Sequence, residues 1–218
     1  MGDENQQRAL VLESIRRSLG QSNPESSIAV EYGAIPRTYK SVGTLGQTAL
    51  LDLFQDRLHE YDAGIYRTSA GSIPDKIAEL LIKRGKRGLV IPKGIPVAWL
   101  PAGFAFTDAS ESDAYQLDAA EGILTGCTVA IAETGSIVLQ NAPAQGPRRL
   151  SLVPDYHLCV VFADQVVETV PESFDRLKAT AELPTTFISG PSATADIEMT
   201  RIKGVHGPRF LDVLIVID

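Results

Sequence analysis

TTFISGPSATADIEMTRIKGVHGPRFLDVLIVID, residues 185–218, decides the fold class. An apolar run at Thr186, Phe187 and Ile188 stops at Ser189-Gly190-Pro191-Ser192. A polar segment follows, with Asp196, Glu198, Arg201 and Lys203, and Gly204-Val205-His206-Gly207-Pro208-Arg209 breaks the chain again. The closing run, Phe210 to Ile217, has the composition of a buried strand. Strand, small-residue turn, charged segment, Gly-rich turn and strand form the layout of a site in an α/β protein. Ligands there gather at the carboxyl ends of parallel strands, where loop N–H groups favour anions.

Upstream, the pattern alternates in the same way. The spacing predicts helices over 46–61 (Leu50, Leu53, Phe54 and Leu58 on one face), 72–83 (Pro74 in the first turn), 113–121 and 172–181. Strands are predicted over 63–67, 88–91 and 104–107. Short links then join predicted strands at 128–132, 137–140, 158–162 and 166–170. Strands alternating with helices imply βαβ units and a mostly parallel sheet, and the short links imply a β-rich insert. Residues 1–40 stand apart. Leu12, Ile15 and Leu19 mark an amphipathic helix over 6–19, and the Ser/Pro/Gly/Asn-rich stretch 20–39 reads as an extended arm. The α/β domain therefore spans 41–218.

Composition narrows the function. At 218 residues, with 44% apolar and 22% charged residues, the chain suits one globular α/β domain. The net charge of −7 argues against nucleic acid as a partner, since a phosphate backbone wants a basic face. The apolar runs fall short of the roughly 20 residues that span a bilayer, and the N-terminus lacks a signal-peptide core, so the expected address is cytoplasmic. The cysteines number two, Cys127 and Cys159, with no CxxC; they read as small buried hydrophobes and cannot supply the four ligands of an iron–sulfur cluster.

Several residues can carry chemistry. Glu133 stands beside Thr134, Gly135 and Ser136 at a strand end. The carboxylate could take a proton, or the hydroxyls could merely satisfy a β-turn. Ser189, Gly190 and Ser192 could offer N–H groups to an anion, or Ser192 or Thr194 could cap a helix that Asp196 and Glu198 complement. His206, on a Gly-flanked turn, could act on a ligand or brace the turn, and Arg209 and Lys203 could hold a small carboxylate. His157 reads as a residue that orients a loop; Arg148-Arg149 could meet an anion, or be solvated charge as a lone Arg pair more often is. His157, His206, Asp196 and Glu198 match no tight metal-ligand spacing, and the dinucleotide and P-loop glycine patterns are missing.

SGPSATADIE followed by KGVHGP resembles the LUD-domain proteins, the lactate-utilization family, and among them the short C-type subunits. Glu133-Thr134-Gly135-Ser136-Ile137-Val138-Leu139 supports the resemblance, as does the stretch from Arg149 through Pro154 and His157 to Val161. It covers about residues 120–218 firmly and 43–119 more weakly. It implies the fold of ribose-5-phosphate isomerase, glucosamine-6-phosphate deaminase and the CoA transferases. It also implies a non-redox subunit or partner of an iron–sulfur complex that oxidises L-lactate to pyruvate, with the clusters on partner subunits and a small anion bound here. Two further readings stay open. One is a CoA-transferase-like or isomerase-like enzyme using Glu133, His206 and Arg209; the other is a ligand sensor or assembly module docking through its N-terminal helix.

Overall fold

The computed structural model describes residues 2–18, 25–195, 201–204 and 206–218, in two units, residues 1–39 and 40–218. The first unit holds α1 (Gly2–Ser18) and α2 (Glu25–Ala34). The helix expected at 6–19 is present, although Leu19 lies outside the described residues. The arm expected over 20–39 is instead helical at 25–34. Between Pro24 and Pro36 no proline interrupts the segment, and its one glycine, Gly33, comes in the last turn.

The second unit runs α3 (Gln47–Glu60), β1 (Gly64–Thr68), α4 (Ile73–Lys83), β2 (Gly88–Ile91), β3 (Ala105–Asp108), α5 (Ala114–Asp118) and β4 (Ile123–Thr125). It continues with β5 (Val129–Ile131), β6 (Ser136–Gln140), α6 (Arg148–Leu152), β7 (Tyr156–Phe162), β8 (Val166–Val167) and α7 (Val170–Leu177). It closes with β9 (Thr185–Ile188), β10 (Ala193–Ala195), β11 (Arg201–Lys203) and β12 (Phe210–Val216). Six strands form one parallel sheet in the order β1-β12-β7-β4-β2-β3, and the expected β-rich portion is a separate four-stranded sheet, β8-β5-β6-β9.

Burial explains the layers. Along β7 and β12 every second side chain faces α4: Leu158, Val160, Leu214 and Val216 meet Ile73, Ile77, Leu80 and Leu81. The alternate set, Cys159, Val161, Leu211, Val213 and Ile215, meets Leu51, Phe54 and Leu58 of α3 and Ala130, Ile137 and Leu139 of the second sheet. A parallel strand covered on both faces is largely apolar, and in these two the buried exceptions, His157 and Asp212, are each hydrogen-bonded. No helix among the described residues is long and apolar enough to cross a membrane.

One local expectation is extended and another corrected. The strand expected at 128–132 is present as β5, and β4, which was not expected, precedes it: the chain leaves the parallel sheet after Thr125, and Gly126 N–H donates to Ala144 O at 2.8 Å before β5 joins the second sheet. Residues 193–203 do not open a helix. Ala193–Ala195 and Arg201–Lys203 pair as an antiparallel hairpin, because Ser192 is anchored downstream: its N–H donates to Pro208 O at 2.8 Å and its carbonyl accepts from Gly204 N at 3.0 Å. The caps Ser192 and Thr194 therefore have no helix to cap, and Asp196 and Glu198 lie outside the described residues.

Asp212 is the charged group in the centre. It has no exposed surface and takes both arms of the Arg84 fork (Nε 2.9 Å, Nη2 2.6 Å) and the Tyr156 hydroxyl at 3.0 Å. Arg84 caps the carboxyl end of α4, so the pair ties that helix to β12. Gly64 is required beside it, because a Cβ there would fall 2.1 Å from Asp212 Oδ1. Asp212→Ala, which strands the arginine and the buried hydroxyl, is expected to lower the unfolding free energy by about 3 kcal/mol in urea titrations. The double variant Arg84→Met/Asp212→Leu is expected to lose less than that single one.

Candidate functional site

The turn between β5 and β6 is held from three sides. Glu133 N–H donates to Glu168 O at 3.0 Å, continuing the β5–β8 pairing beyond the strand end. Gly135 sits at φ +57°, and a Cβ there would lie 2.8 Å from the Cβ of Arg57 in α3, so only glycine fits. Thr134 Oγ1 donates to Ser136 Oγ at 2.8 Å, and Ser136 Oγ bonds Ser189 Oγ at 2.6 Å.

The Glu133 carboxylate is partly exposed and lies 3.8 Å from Lys40 Nζ. Lys40 is itself hydrogen-bonded to the buried Glu168. Glu168 also accepts from Thr44 N at 2.5 Å and Leu45 N at 2.8 Å, while Glu172 accepts from Gly43 N at 3.0 Å. The Lys40 hydrogen bond is the largest cause holding the Glu168 carboxyl below its ordinary range, with the backbone donors adding to it. This cluster straps residues 40–45 onto the start of α7.

A cavity of about 270 Å³ opens between β9, the 189–193 turn, the 206–208 turn and α6. It lies at the amino ends of β7 and β12, not at the carboxyl ends where the sequence layout placed a site, because the Gly-rich turn precedes β12. Ser189, Gly190, Ser192 and His206 line it; Glu133, Thr134, Gly135, Ser136 and Arg209 are not among its lining residues. Of the Glu133 and His206 turns, then, only the second reaches the cavity, and the first touches it through the Ser136–Ser189 hydrogen bond.

Each expected anion donor has a definite place. Ser192 N–H is taken by Pro208 O, Pro191 has no N–H, and the Ser192 hydroxyl accepts from His206 N at 3.1 Å. Gly190 sits at φ +86°, with its Cα so close to Tyr61 that a Cβ would fall 2.3 Å from the tyrosine's Cβ. Arg209 already grips a carboxylate: Nε and Nη2 lie 2.6 and 2.9 Å from the two oxygens of Asp155 and hold that carboxyl below its usual range. Lys203 is placed by its backbone in β11.

Two further residues line the cavity. Arg148, read as an anion contact or as solvated charge, is exposed at the cavity wall and is its one lining arginine or lysine among the described residues. His157, expected to orient a loop, lies inside β7 and is 1% exposed. Its Nε2 is 2.7 Å from the Thr125 hydroxyl, and burial pushes its pKa down to about 4, leaving a neutral ring at the cavity floor. Cys127 and Cys159 are both buried, and Cys159 Sγ donates to Gly126 O at 3.6 Å. A cation, a neutral imidazole and hydroxyls around a small space suit an anion carrying a further polar group.

Comparison with known proteins follows the same lines. The model of the LUD domain family matches residues 41–216. Lactate utilization protein C of Deinococcus radiodurans is 41% identical over 94% of this chain and 93% of its own. The protein of the same description from Bacillus subtilis is 24% identical over 90% of both chains. A crystal structure of a DUF162 family protein from Deinococcus radiodurans superposes with a TM-score of 0.69 at 37% identity, covering 79% of this chain and 99% of that one.

Burial of His157 has a pH consequence. An unfolded imidazole titrates near 6.5 and this one near 4, so between those values the unfolded chain binds a proton that the native chain does not. The resulting stability is complete above pH 6.5 and is lost as pH falls towards 4, by about 3 kcal/mol. In urea titrations at a series of pH values, His157→Gln is expected to abolish that part of the acid sensitivity.

Proposed function

The chain belongs to the LUD domain family, and we propose that it serves lactate utilization as a cytoplasmic, non-redox subunit or partner of an iron–sulfur system oxidising L-lactate to pyruvate, with a small carboxylate held in the cavity. The observation that carries this reading is the wall of the cavity: Arg148 beside the Ser189–Ser192 turn and His206, over the neutral His157. At about 270 Å³ the space is at the small end of ligand cavities, which run upward from about 300 Å³, and a metabolite-sized acid suits it.

The thiols support this division of labour: two buried cysteines fall short of the four that hold a cluster, which favours placing the iron–sulfur clusters of the proposed system on partner subunits. A stand-alone enzyme built on Glu133, His206 and Arg209 gains no support from the geometry. Glu133 faces Lys40, and Arg209 is paired with Asp155.

Affinity purification of the tagged chain from its own cells grown on lactate, with mass spectrometry and iron analysis, tests the assembly. Cysteine-rich, iron-bearing partners are expected to co-elute. A chain that emerges alone and iron-free, or that oxidises lactate unaided, overturns the reading. For the ligand, Arg148→Ala is expected to weaken lactate and pyruvate binding about tenfold by calorimetry, as loss of one charge-assisted contact does.

A further inference from the structure

Resting on that reading of the cavity as a carboxylate site, we propose that the Thr125–His157 pair reads a second oxygen on the ligand, so that the cavity selects small 2-oxo and 2-hydroxy carboxylates over acids bare at that carbon. Nothing in the chain's family resemblance assigns either residue.

The geometry fixes which nitrogen carries the proton. Thr125 is fully buried, and its hydroxyl makes one hydrogen bond among the described residues, to His157 Nε2 at 2.7 Å. A buried hydroxyl left without an acceptor is costly, so the Thr125 proton goes to Nε2. In the neutral ring the remaining proton then sits on Nδ1, an assignment that rests on the hydrogen-bond network. Nδ1 makes no hydrogen bond among the described residues. The fully enclosed side-chain nitrogen without a partner among them is Arg67 Nε, so Nδ1 keeps surface on the cavity that His157 lines. The floor thus presents a fixed N–H donor, nine-tenths buried through the rest of its side chain.

Charge separates its role from that of Arg148. A carboxylate is drawn to the guanidinium, which offers a charged fork and has no other partner among the described residues. A neutral N–H is the weaker partner for an anion and suits a keto or hydroxyl oxygen, both of which accept. Discrimination of this kind is strong, because an acid lacking the oxygen leaves the buried donor unpaired. Thr125 acts through His157 as a positioning residue: it holds the tautomer and touches no ligand itself.

The test uses the full chain with sodium pyruvate, L-lactate and propionate, three acids of equal chain length. Calorimetry is expected to show pyruvate and lactate binding at least tenfold more tightly than propionate. His157→Phe is expected to abolish the preference and bring pyruvate and lactate to the level of propionate. Thr125→Val, nearly isosteric, keeps the proposal testable if the first variant fails to fold, and is expected to shrink the preference. Nitrogen NMR of the histidine rings supplies the readout that packing alone would not move. Nδ1 of His157 is expected to be protonated, to shift on addition of pyruvate, and to lose its fixed tautomer in Thr125→Val. Equal binding of the three acids, or a proton found on Nε2, overturns the inference and leaves the carboxylate site standing; binding of none of the three overturns both.

Discussion

Seven consecutive residues of β12 lie in parallel register with seven of β7, from Phe210 beside Tyr156 to Val216 beside Phe162. The rest of the domain depends on that pairing. It sets β1 beside β12 at one edge and β4 beside β7 towards the other, and it gives both apolar faces something to cover, α4 on one and α3 with the second sheet on the other. It also sets the site. The register places Leu211 beside His157 at the amino ends of the two strands, and the turns entering those strands become the cavity walls. Asp212 is the cost of the arrangement, a carboxylate with no exposed surface, made tolerable by the Arg84 fork and the Tyr156 hydroxyl. Burial, with the adjacent Asp212 carboxylate adding to it, drives the Tyr156 pKa upward, so the hydroxyl remains a donor at any ordinary pH.

Much of this frame was legible in the sequence, for a physical reason. Strands covered on both faces are apolar along nearly all their length; 158–162 is, and 210–217 is but for Asp212. The helix at 47–60 announced itself through its apolar face, of which Phe54 and Leu58 are buried and Leu50 and Leu53 partly so, with Leu51 buried beside them, and the helix at 73–83 through the proline in its first turn. Where local pattern and long-range contact disagree, the sequence misleads. The strand at 128–132 was expected, but β4 at 123–125 was not separated from it, and the exchange between the two sheets falls at Gly126 and Cys127. Residues 193–203 have the polar composition and small residues of a capped helix start, and the bonds from Ser192 to Gly204 and Pro208 draw them into a hairpin instead.

The site divides along the same line. The small-residue turns were visible because glycine, proline and serine are rare together in that order. What the turns do was not visible. Arg209 looks free in sequence, and its partner Asp155 is 54 residues away. His157 and Thr125 are separated by 32 residues and meet only because β4 and β7 lie in parallel register, Ile123 beside His157. A histidine next to a predicted strand gives no sign of whether it will be buried, and burial is the property that removes its charge.

The Glu133 turn acquires meaning from hydrogen-bond direction. A hydroxyl has one proton and two lone pairs, so a chain of hydroxyls is satisfied when each donates to the next. Thr134 donates to Ser136, and Ser136 then has its proton for Ser189. Run that way, the chain leaves the Ser189 proton for an acceptor on the cavity side, where Ser189 is part of the wall. Run the other way, Ser189 spends its proton on Ser136, whose own proton is left the long contact to the Thr134 carbonyl at 3.4 Å. Both arrangements keep the 2.8 and 2.6 Å bonds; the first leaves the Ser189 proton on the cavity side, the polarity that suits an acceptor-only carboxylate. A turn that does not line the cavity thereby orients a hydroxyl that does, and the same turn is locked in place from behind by the contact of Gly135 with α3.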